Sequence, residues 1–411
     1  MASDPVKRVV IVGASVCGSH AAEVLRDEGF GGEIVLIGAE PHLPYDRPPL
    51  SKGYLTAPQG EEPEDPRFNP HSFYEEQHIT LRLGAGVTAV DPAAHRVTLS
   101  DGASEGYDRL LLATGSRVRR LAVPGADLPG VMYLRTRDDA QRLRGAIAGA
   151  RRAVVVGAGF IGSEVASACR ARGLRVVVLE AAPVPLQRAL GDEVGGHLAD
   201  LHRGHGIDLR LSDGASAFRG HGRVEQVVTS SGQSIDADLV VVGVGVDAEA
   251  HYLGGSAVQV NNGIVVDDMC RTSAPDVYAA GDCANWPHRP TGARLRVEHW
   301  ENAWYQGEAA VRSLLGRGEP YDPVLYFWSD QFDVEIQYMG HAVRWDRIVV
   351  RGRPGEFEFA AFYLDGGVVR AAMTVGRPQE EADAIRELVR KQARPNPEAL
   401  ADEGTDLAQA G

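Results

Sequence analysis

A glycine-rich turn in the middle of the chain has the spacing of a dinucleotide-binding loop. Gly157, Gly159 and Gly162 follow a β-branched run at 152–156 and precede a segment of helical character. Such a turn lets backbone N–H groups at a helix N-terminus approach a pyrophosphate. Glu180 ends the next apolar run, where an acid can accept hydrogen bonds from a ribose diol. The pattern predicts a nicotinamide dinucleotide site.

The acid at this site favours NAD over NADP. A carboxylate ~4 Å from the 2′-phosphate of NADP costs roughly 4 kcal/mol per unit charge at an effective dielectric of 20, or about a thousandfold in affinity. Arg188 follows Glu180 by eight residues and can either soften this repulsion or be a solvated surface residue. The other residues assigned to the site are Phe160, Ile161, Glu164, Gly243, Val244 and Gly245.

The N-terminal segment repeats the pattern with a serine at the second glycine position. Serine is small enough to let a phosphate approach, although an ordinary strand–turn–helix fits this loop equally well. Residue 39 is alanine, so we assign the contact with an adenosine ribose to Glu40. The loop residues assigned to this second nucleotide are Gly13, Ala14, Ser15, Cys17 and Gly18.

Two further apolar runs end in residues that suit a large cofactor at the N-terminal loop. The first ends in Ala113, Thr114 and Gly115, and the second ends in Gly281 and Asp282. Small residues let the chain pass close to a ligand. The carboxylate of the second run can bind hydroxyls such as those of a ribityl chain, or cap the following helix. These segments favour FAD at the first site.

Cysteine and lysine are both scarce. The four cysteines are widely spaced and form no CxxC pair, so we expect buried thiols in a reducing cytosol and no metal site. The lysines are Lys7, Lys52 and Lys391, which makes Lys52 in its interior loop a candidate for chemistry. The cysteines are Cys17, Cys169, Cys270 and Cys283.

The two loops form an internal repeat of strand, turn, helix and strand, with the helices predicted at 19–28 and 163–171. This repeat predicts two dinucleotide-binding units in an α/β fold. From about residue 326 the chain becomes rich in aromatics and in alternating stretches typical of antiparallel strands, and 380–392 reads as a closing helix. We expect the segment after Arg394 to be mobile because it is rich in Pro, Asp and Ala.

Length and charge limit the function classes. The chain has 411 residues, 44% of them hydrophobic, which is enough for two to four domains. No apolar run approaches the ~20 residues that span a bilayer. The formal charge of −14 disfavours general nucleic-acid binding. We expect a mature, cytoplasmic protein without nucleic-acid or membrane partners.

With these residues assembled, the chain resembles the FAD-dependent NADH–ferredoxin reductases of bacterial oxygenase systems, the putidaredoxin reductase type. Four motifs carry the resemblance, which covers nearly the whole chain. They are Pro44-Tyr45-Asp46-Arg47-Pro48-Pro49-Leu50-Ser51-Lys52, Gly281-Asp282, Val297-Glu298-His299-Trp300 and Phe327-Trp328-Ser329-Asp330-Gln331. The departures from the family pattern are Ser15, Ala39 and Cys17.

The resemblance implies a glutathione-reductase-like fold with two Rossmann-type domains and an α+β C-terminal interface domain. An FAD-binding domain would comprise 1–113 and 247–322, an NAD-binding domain 114–246, and the C-terminal domain 323–411. Besides the loops above, the resemblance places around FAD the residues Arg47, Lys52, Val87, Arg135, Asp282, Glu298, His299 and Trp300.

The resemblance also implies that Lys52 lies near flavin N5, paired with Glu164. A lysine ammonium there would stabilise negative charge that develops on the reduced flavin, and a buried ammonium needs a partner. The alternative is a purely structural salt bridge.

Electrons must leave the flavin directly. Disulfide reductases of this fold carry a redox cysteine pair just ahead of the Pro-Ser-Lys segment, but residues 43–51 contain no cysteine. A one-electron acceptor such as an iron–sulfur ferredoxin therefore fits. It would dock on an arginine-rich face near Trp300 and the C-terminal domain, although any one of these arginines can be a solvated charge. The candidates are Arg289, Arg294, Arg296, Arg344, Arg347, Arg351 and Arg353.

Three functions remain open at this stage. The first is an NADH:ferredoxin reductase that supplies a cytochrome P450 monooxygenase or a ring-hydroxylating dioxygenase. The second is an NADH-dependent flavin reductase that acts on a quinone, monodehydroascorbate or oxygen. The third is an NADH-sensing flavoprotein of the apoptosis-inducing-factor type.

Overall fold

The computed structural model describes residues 6–58 and 60–409, and their contacts divide into two compact units. The first unit comprises the described residues up to Asp46, with 65–117 and 246–325. The second unit comprises the described residues of 47–64, with 118–245 and the described residues from Tyr326 onward. The division into three domains given above stays a prediction.

The helices and strands are numbered in chain order. The α-helices are α1 (Val16–Asp27), α2 (Gly53–Thr56), α3 (His71–Glu76), α4 (Arg137–Gly149), α5 (Phe160–Ala171), α6 (Gln187–Gly204), α7 (Trp300–Leu314), α8 (Gln379–Arg390) and α9 (Pro397–Ala401). The β-strands are β1 (Arg8–Val12), β2 (Glu33–Gly38), β3 (Ile79–Leu83), β4 (Val87–Asp91), β5 (Arg96–Leu99), β6 (Ser104–Gly106), β7 (Arg109–Leu112), β8 (Ser116–Val118), β9 (Val131–Met132), β10 (Arg152–Val156), β11 (Arg175–Glu180), β12 (Asp208–Leu211), β13 (Ala215–Arg219), β14 (Gln226–Thr229), β15 (Ser234–Asp236), β16 (Leu239–Val242), β17 (Val246–Ala248), β18 (Ile264–Val265), β19 (Val277–Ala279), β20 (Ala284–His288), β21 (Ala293–Leu295), β22 (Tyr326–Gln331), β23 (Val334–Gly340), β24 (Arg347–Arg353), β25 (Glu358–Asp365) and β26 (Val368–Val375). Within the described ranges, no helix combines the length and apolar composition needed to cross a bilayer.

A five-stranded parallel sheet forms the centre of the first unit, in the order β19-β7-β1-β2-β3. Its central strand is buried on both faces, which explains its uninterrupted β-branched sequence. Val10 and Val12 belong to one hydrophobic cluster, and Val9 and Ile11 belong to another that includes residues of α1 and α7. This alternation follows from the two-residue period of a strand.

The second unit repeats this arrangement. Its parallel sheet has the order β12-β11-β10-β16-β9, and β10 lies between β11 and β16 as β1 lies between β2 and β7. The predicted internal repeat is therefore confirmed. The unit also contains the antiparallel sheet β22-β23-β26-β25-β24, on which α8 packs through Ala382, Ile385 and Leu388.

Helices α1 and α5 begin three residues earlier than the sequence pattern predicts. They start at Val16 and Phe160, not at residues 19 and 163. The last glycine of each loop, Gly18 or Gly162, consequently lies in the first helical turn. Because glycine is a poor helix former, helix propensity alone places each helix start after the last loop glycine.

The prediction of a mobile segment after Arg394 is wrong for the part of it that the structure describes. Asn396 caps α9, and Leu400 and Leu407 are buried. Arg351 holds this segment in place. Its guanidinium, on a side chain 6% exposed, donates to four carbonyl oxygens of the segment and to Glu381 Oε1 at 2.9 Å. The four carbonyls are those of Leu400, Asp402, Glu403 and Thr405.

We expect Arg351→Met to destabilise the protein by about 3–5 kcal/mol, because it leaves several carbonyls without their buried donor and removes one of the two arginines that pair with Glu381. The C-terminal segment should also become the first site of cleavage in limited proteolysis. Arg353→Met is the matched control, since Arg353 lies on the same strand but is exposed and pairs only with Glu356 and Glu358. Arg353→Met should lower the free energy of unfolding by less than about 1 kcal/mol. Equal losses in thermal unfolding would contradict this role of Arg351.

Candidate active site

The first and third glycines of each loop are sterically required. Gly13 and Gly157 have φ values of +116° and +101°, in the region that favours glycine. A Cβ on Gly13 would lie 2.0 Å from the Ala113 carbonyl oxygen. A Cβ on Gly18 or Gly162 would lie 1.8 or 2.0 Å from the carbonyl oxygen of its loop's first glycine. Strand, loop and helix therefore cross with no room for a side chain.

The second loop position obeys a different rule. Gly159 has φ −76° and ψ −177°, and its counterpart Ser15 has φ −108° and ψ −160°. Both conformations suit any L-residue, and a Cβ on Gly159 would have no atom within 4 Å. The backbone therefore permits a serine here. The open space at the helix N-terminus fits a dinucleotide pyrophosphate.

Glu180 is held in place beside the glycine loop of the second unit. Its Oε2 accepts a hydrogen bond from Ala158 N at 2.6 Å, and its Oε1 accepts one from Ala182 N at 2.8 Å. Each carboxylate oxygen has a further lone pair for a ribose hydroxyl. Arg188 is exposed on α6, where it lines an open cavity of about 550 Å³ with Asp192, among other residues.

The other residues predicted for the NAD site lie in or next to the same loop. Gly243 N donates to the Val156 carbonyl at 2.8 Å, which brings the end of β16 beside the loop. Gly245 has φ +98°, and its carbonyl accepts from Arg119 N. Val244 lies between them. Phe160 packs edge-on against Phe327, whereas Ile161 is 44% exposed at the start of α5. An exposed isoleucine beside an open loop fits a surface that a ligand covers.

In the first unit, the acidic candidates are oriented by neighbouring hydroxyls. Tyr45 donates its hydroxyl to Glu40 Oε2, just beyond the end of β2. Ser116 Oγ donates to Asp282 Oδ2 at 2.9 Å. Arg296 donates to the Asp282 carbonyl and pairs with Glu298 at 2.7 Å.

The small residues at the strand ends have structural partners. Thr114 Oγ1 donates to the Glu249 carbonyl at 2.6 Å, so its hydroxyl braces the chain. Ala113 N donates to the Val12 carbonyl. Gly281 N donates to Gln306 Oε1, and a Cβ on Gly281 would lie 3.2 Å from the Cys17 Cβ. The interior of the loop is thus closely packed, which fits small residues at these positions.

Trp300 occupies the first position of α7, directly after the N-cap residue His299. Its Nε1 donates to Asp46 Oδ1 at 2.7 Å, and its ring stacks on Trp304 at a centroid distance of 5.0 Å. Trp304 stacks in turn on His20 at 3.5 Å. Neither Trp304 nor His20 was predicted as a site residue. The four-residue spacing of the two tryptophans, one helical turn, was the available signal.

The second unit brings Lys52 and Glu164 together. Lys52 Nζ lies 2.8 Å from Glu164 Oε1, and the Glu164 side chain is only 3% exposed. Two hydroxyls also donate to this carboxylate. Ser51 Oγ bonds Oε2, and Ser329 Oγ bonds Oε1 at 2.7 Å. Neither serine was predicted as a site residue, although both lie in the motifs that carry the family resemblance.

Three further residues are assigned to FAD by resemblance. Arg47 Nη1 donates to the Arg135 carbonyl, just before the capping box that starts α4. Val87 is half-buried at the start of β4 in the first unit. Their contact with FAD stays a prediction.

All four cysteines are buried free thiols. Burial raises the pKa of the Cys169 thiol to about 12 and also raises the pKa of Cys17, Cys270 and Cys283. Thiols of this kind stay protonated and unreactive near neutral pH. In the part of the chain that the structure describes, no three His, Cys, Asp or Glu side chains group as a metal site.

One of the arginines predicted to dock a partner is buried. Arg351 is 5% exposed and serves the C-terminal segment, so its assignment to a docking face is wrong. The other candidates mostly have partners of their own. Arg289 pairs with Asp268, and Arg294 donates to two carbonyls. Arg344, with its side chain 83% exposed, makes a contact of 3.4 Å to Asp365.

Comparison with known proteins assigns the chain to a family. Residues 7–307 match the family described as Pyridine nucleotide-disulphide oxidoreductase, and residues 326–411 match Reductase C-terminal. Rhodocoxin reductase of Rhodococcus erythropolis is 40% identical over 403 residues, which cover 98% of this chain and 94% of that protein. The biphenyl dioxygenase system ferredoxin–NAD(+) reductase component of Paraburkholderia xenovorans is 37% identical, with 97% of each chain covered.

Solved structures of ferredoxin reductases have the same fold as this chain. The ferredoxin reductase for the CYP199A2 system from Rhodopseudomonas palustris matches with a TM-score of 0.95 and 37% identity, over 98% of this chain and 100% of that one. Putidaredoxin reductase, in a covalent complex with putidaredoxin, matches with a TM-score of 0.93 and 34% identity, over 98% of each. The predicted fold class is confirmed. The chain belongs to the pyridine nucleotide-disulphide oxidoreductase family, among the FAD-dependent ferredoxin reductases of bacterial oxygenase systems that carry the reductase C-terminal domain.

Proposed function

We propose that this protein is an NADH:ferredoxin oxidoreductase that supplies electrons to a cytochrome P450 monooxygenase or a ring-hydroxylating dioxygenase. The observation that carries the proposal is the duplicated glycine cradle, in a chain whose cysteines are all buried. FAD, when bound, accepts a hydride from NADH and releases electrons singly. Because the family's redox-active cysteine pair is missing, those electrons pass to an external acceptor.

The chain's own residues bind and orient the two nucleotides. In the first unit, the 13–18 loop, Glu40 and Asp282 would hold FAD. In the second unit, the 157–162 loop and Glu180 would hold NADH. Such positioning supplies much of the rate of a hydride transfer, since the transfer needs no enzyme-bound covalent intermediate.

We propose that Lys52 supplies electrostatic stabilisation for the reduced flavin. The ammonium is anchored to a buried carboxylate at 2.8 Å, while its own side chain stays 18% exposed. A charge held in this way needs little reorganisation during the reaction. Neither Lys52 nor Glu164 has to transfer a proton.

The test of the function is spectroscopic and uses the holoprotein. Anaerobic addition of NADH should bleach the flavin bands of the visible spectrum, and a ferredoxin should then restore them in one-electron steps. Rapid recovery with a quinone or oxygen and none with ferredoxins would favour a small-molecule flavin reductase. Slow recovery with every acceptor, with NADH-dependent dimerisation, would favour a signalling flavoprotein. A protein that cannot bind FAD would overturn all three.

We expect the bleaching to discriminate between nicotinamide nucleotides. Glu180 opposes the 2′-phosphate of NADPH, and because solvent screens this half-buried acid we expect a kcat/KM ratio of at least about tenfold in favour of NADH. Glu180→Gln should narrow the ratio by removing the charge. Glu193→Gln, which removes an acid from the cavity at α6, should leave it unchanged. Equal kcat/KM values for NADH and NADPH with the wild-type protein would contradict this role of Glu180.

The role of Lys52 makes a second kinetic prediction. Lys52→Met should slow flavin reduction at saturating NADH by about tenfold to a hundredfold, because it removes a positive charge expected near the flavin. Lys391→Met, a change of the same type at an exposed position after α8, serves as the control. A full rate in stopped-flow measurements with Lys52→Met would reduce the ion pair to a structural role.

For the partner, we propose that the exposed arginines at 344 and 347 contribute to ferredoxin docking. Double charge reversal, Arg344→Glu with Arg347→Glu, should raise the KM for ferredoxin about tenfold at low ionic strength, with less effect in high salt. NADH-driven flavin reduction should not change. Arg203→Glu on α6 is the control for a general loss of positive charge. An unchanged KM for the double variant would exclude this surface.

A further inference from the structure

The carboxylate of Glu164 lies at the end of a chain of hydrogen bonds that begins in the interior of the second unit. Ser329 Oγ lies 2.7 Å from Glu164 Oε1, and Gln331 Nε2 lies 3.2 Å from Ser329 Oγ. His202 Nε2 lies 2.9 Å from Gln331 Oε1. Ser329, Gln331 and His202 are each fully buried, at 0% exposure.

Each donor in this chain has a defined direction. Gln331 uses its carbonyl oxygen toward His202, so its NH₂ group faces Ser329 and donates to Oγ. The single hydroxyl hydrogen of Ser329 is then directed to Glu164. Every hydrogen bond in the series points toward the carboxylate, an order in which successive bonds polarise one another.

The state of His202 agrees with this direction. Its Nε2 must carry a hydrogen to donate to Gln331, while its buried Nδ1 has no hydrogen-bond partner. A neutral imidazole protonated at Nε2 leaves only a lone pair unsatisfied at Nδ1, whereas the imidazolium would bury an unpaired N–H. Burial accordingly lowers the pKa of His202, although its bond to Gln331 opposes that shift.

The strand geometry explains why these two residues can reach Glu164 and His202. Ser329 and Gln331 lie on β22, which forms an edge of the antiparallel sheet. Alternate residues of this strand are buried, whereas Asp330 between them is exposed. The Phe327–Gln331 motif thus provides two buried polar groups on one face.

We propose that Ser329 is a positioning residue for the Lys52–Glu164 pair, and that Gln331 and His202 orient its hydroxyl. The inference rests on the proposed function, because it gives the ion pair a role in flavin reduction. Lys52 Nζ and Ser329 Oγ share one acceptor, Glu164 Oε1. The serine therefore fixes the oxygen to which the ammonium is anchored. The C-terminal sheet in this way helps to set the position of a charge in the active site.

Ser329→Ala tests the proposal, with Ser167→Ala as the matched control. Ser167 is a buried serine of α5, the helix that also contains Glu164, but its Oγ accepts from Phe332 N just after β22 and is not hydrogen-bonded to Glu164. In stopped-flow measurements on the holoenzyme, Ser329→Ala should lower the limiting rate of flavin reduction about tenfold and leave the half-saturating NADH concentration unchanged. Ser329→Thr, which keeps the hydroxyl, should recover most of the rate, and Ser167→Ala should keep it.

A second readout does not depend on activity. In thermal unfolding, Ser329→Ala should lower the Tm by about 2–4 °C when Glu164 is present. In the Glu164→Gln background, where the acceptor has no charge, it should lower the Tm by less than half of that. Equal shifts in the two backgrounds would overturn the proposal, and so would equal rates for Ser329→Ala and Ser167→Ala.

The rates also separate this inference from the function on which it rests. If Lys52→Met slows flavin reduction and Ser329→Ala does not, the positioning role falls and the role of the ion pair stands. If Lys52→Met leaves the rate unchanged, both fall, whereas bleaching by NADH and recovery with ferredoxin would still support the reductase.

Discussion

The buried carboxylate of Glu164 joins three segments of the second unit. An ionised carboxylate in a protein interior costs several kcal/mol unless donors replace its water. Here the donors come from two separate parts of the sequence, the adjacent Ser51 and Lys52 and the distant Ser329. The segment before α2, the first turns of α5 and the edge strand β22 must therefore meet at one point. The loss of any one donor would affect both the stability of this unit and the position of the Lys52 ammonium.

The glycine cradles show which parts of such a site a sequence can predict. A missing Cβ at the first and third glycines is a steric demand of crossing strand and helix, so it leaves a fixed spacing in the sequence. The second position makes no such demand on the backbone, as the extended conformations of Ser15 and Gly159 show. Ser15, which weakened the prediction of an FAD loop, thus lies at the one of the three glycine positions where the backbone allows a side chain.

Contacts between distant segments lay beyond the reach of sequence patterns. The repeat, both parallel sheets and the antiparallel C-terminal sheet follow from local periodicity, and they were predicted. The bonds from Ser329 to Glu164 and from Trp300 to Asp46 join residues 165 and 254 positions apart, so no local pattern encodes them. Motif resemblance marked the segments that contain these residues, but it did not say which atoms meet.

The arginines illustrate the same limit for charge. A sequence shows that a guanidinium is present, but its function depends on the acceptors that surround it. Arg351 and Arg353 are two residues apart on β24 and therefore start from the same strand face. One is buried among carbonyl oxygens, and the other is exposed between two glutamates. A net charge of −14 hides such differences. The docking proposal therefore applies only to arginines that the fold leaves exposed and weakly paired, such as Arg344.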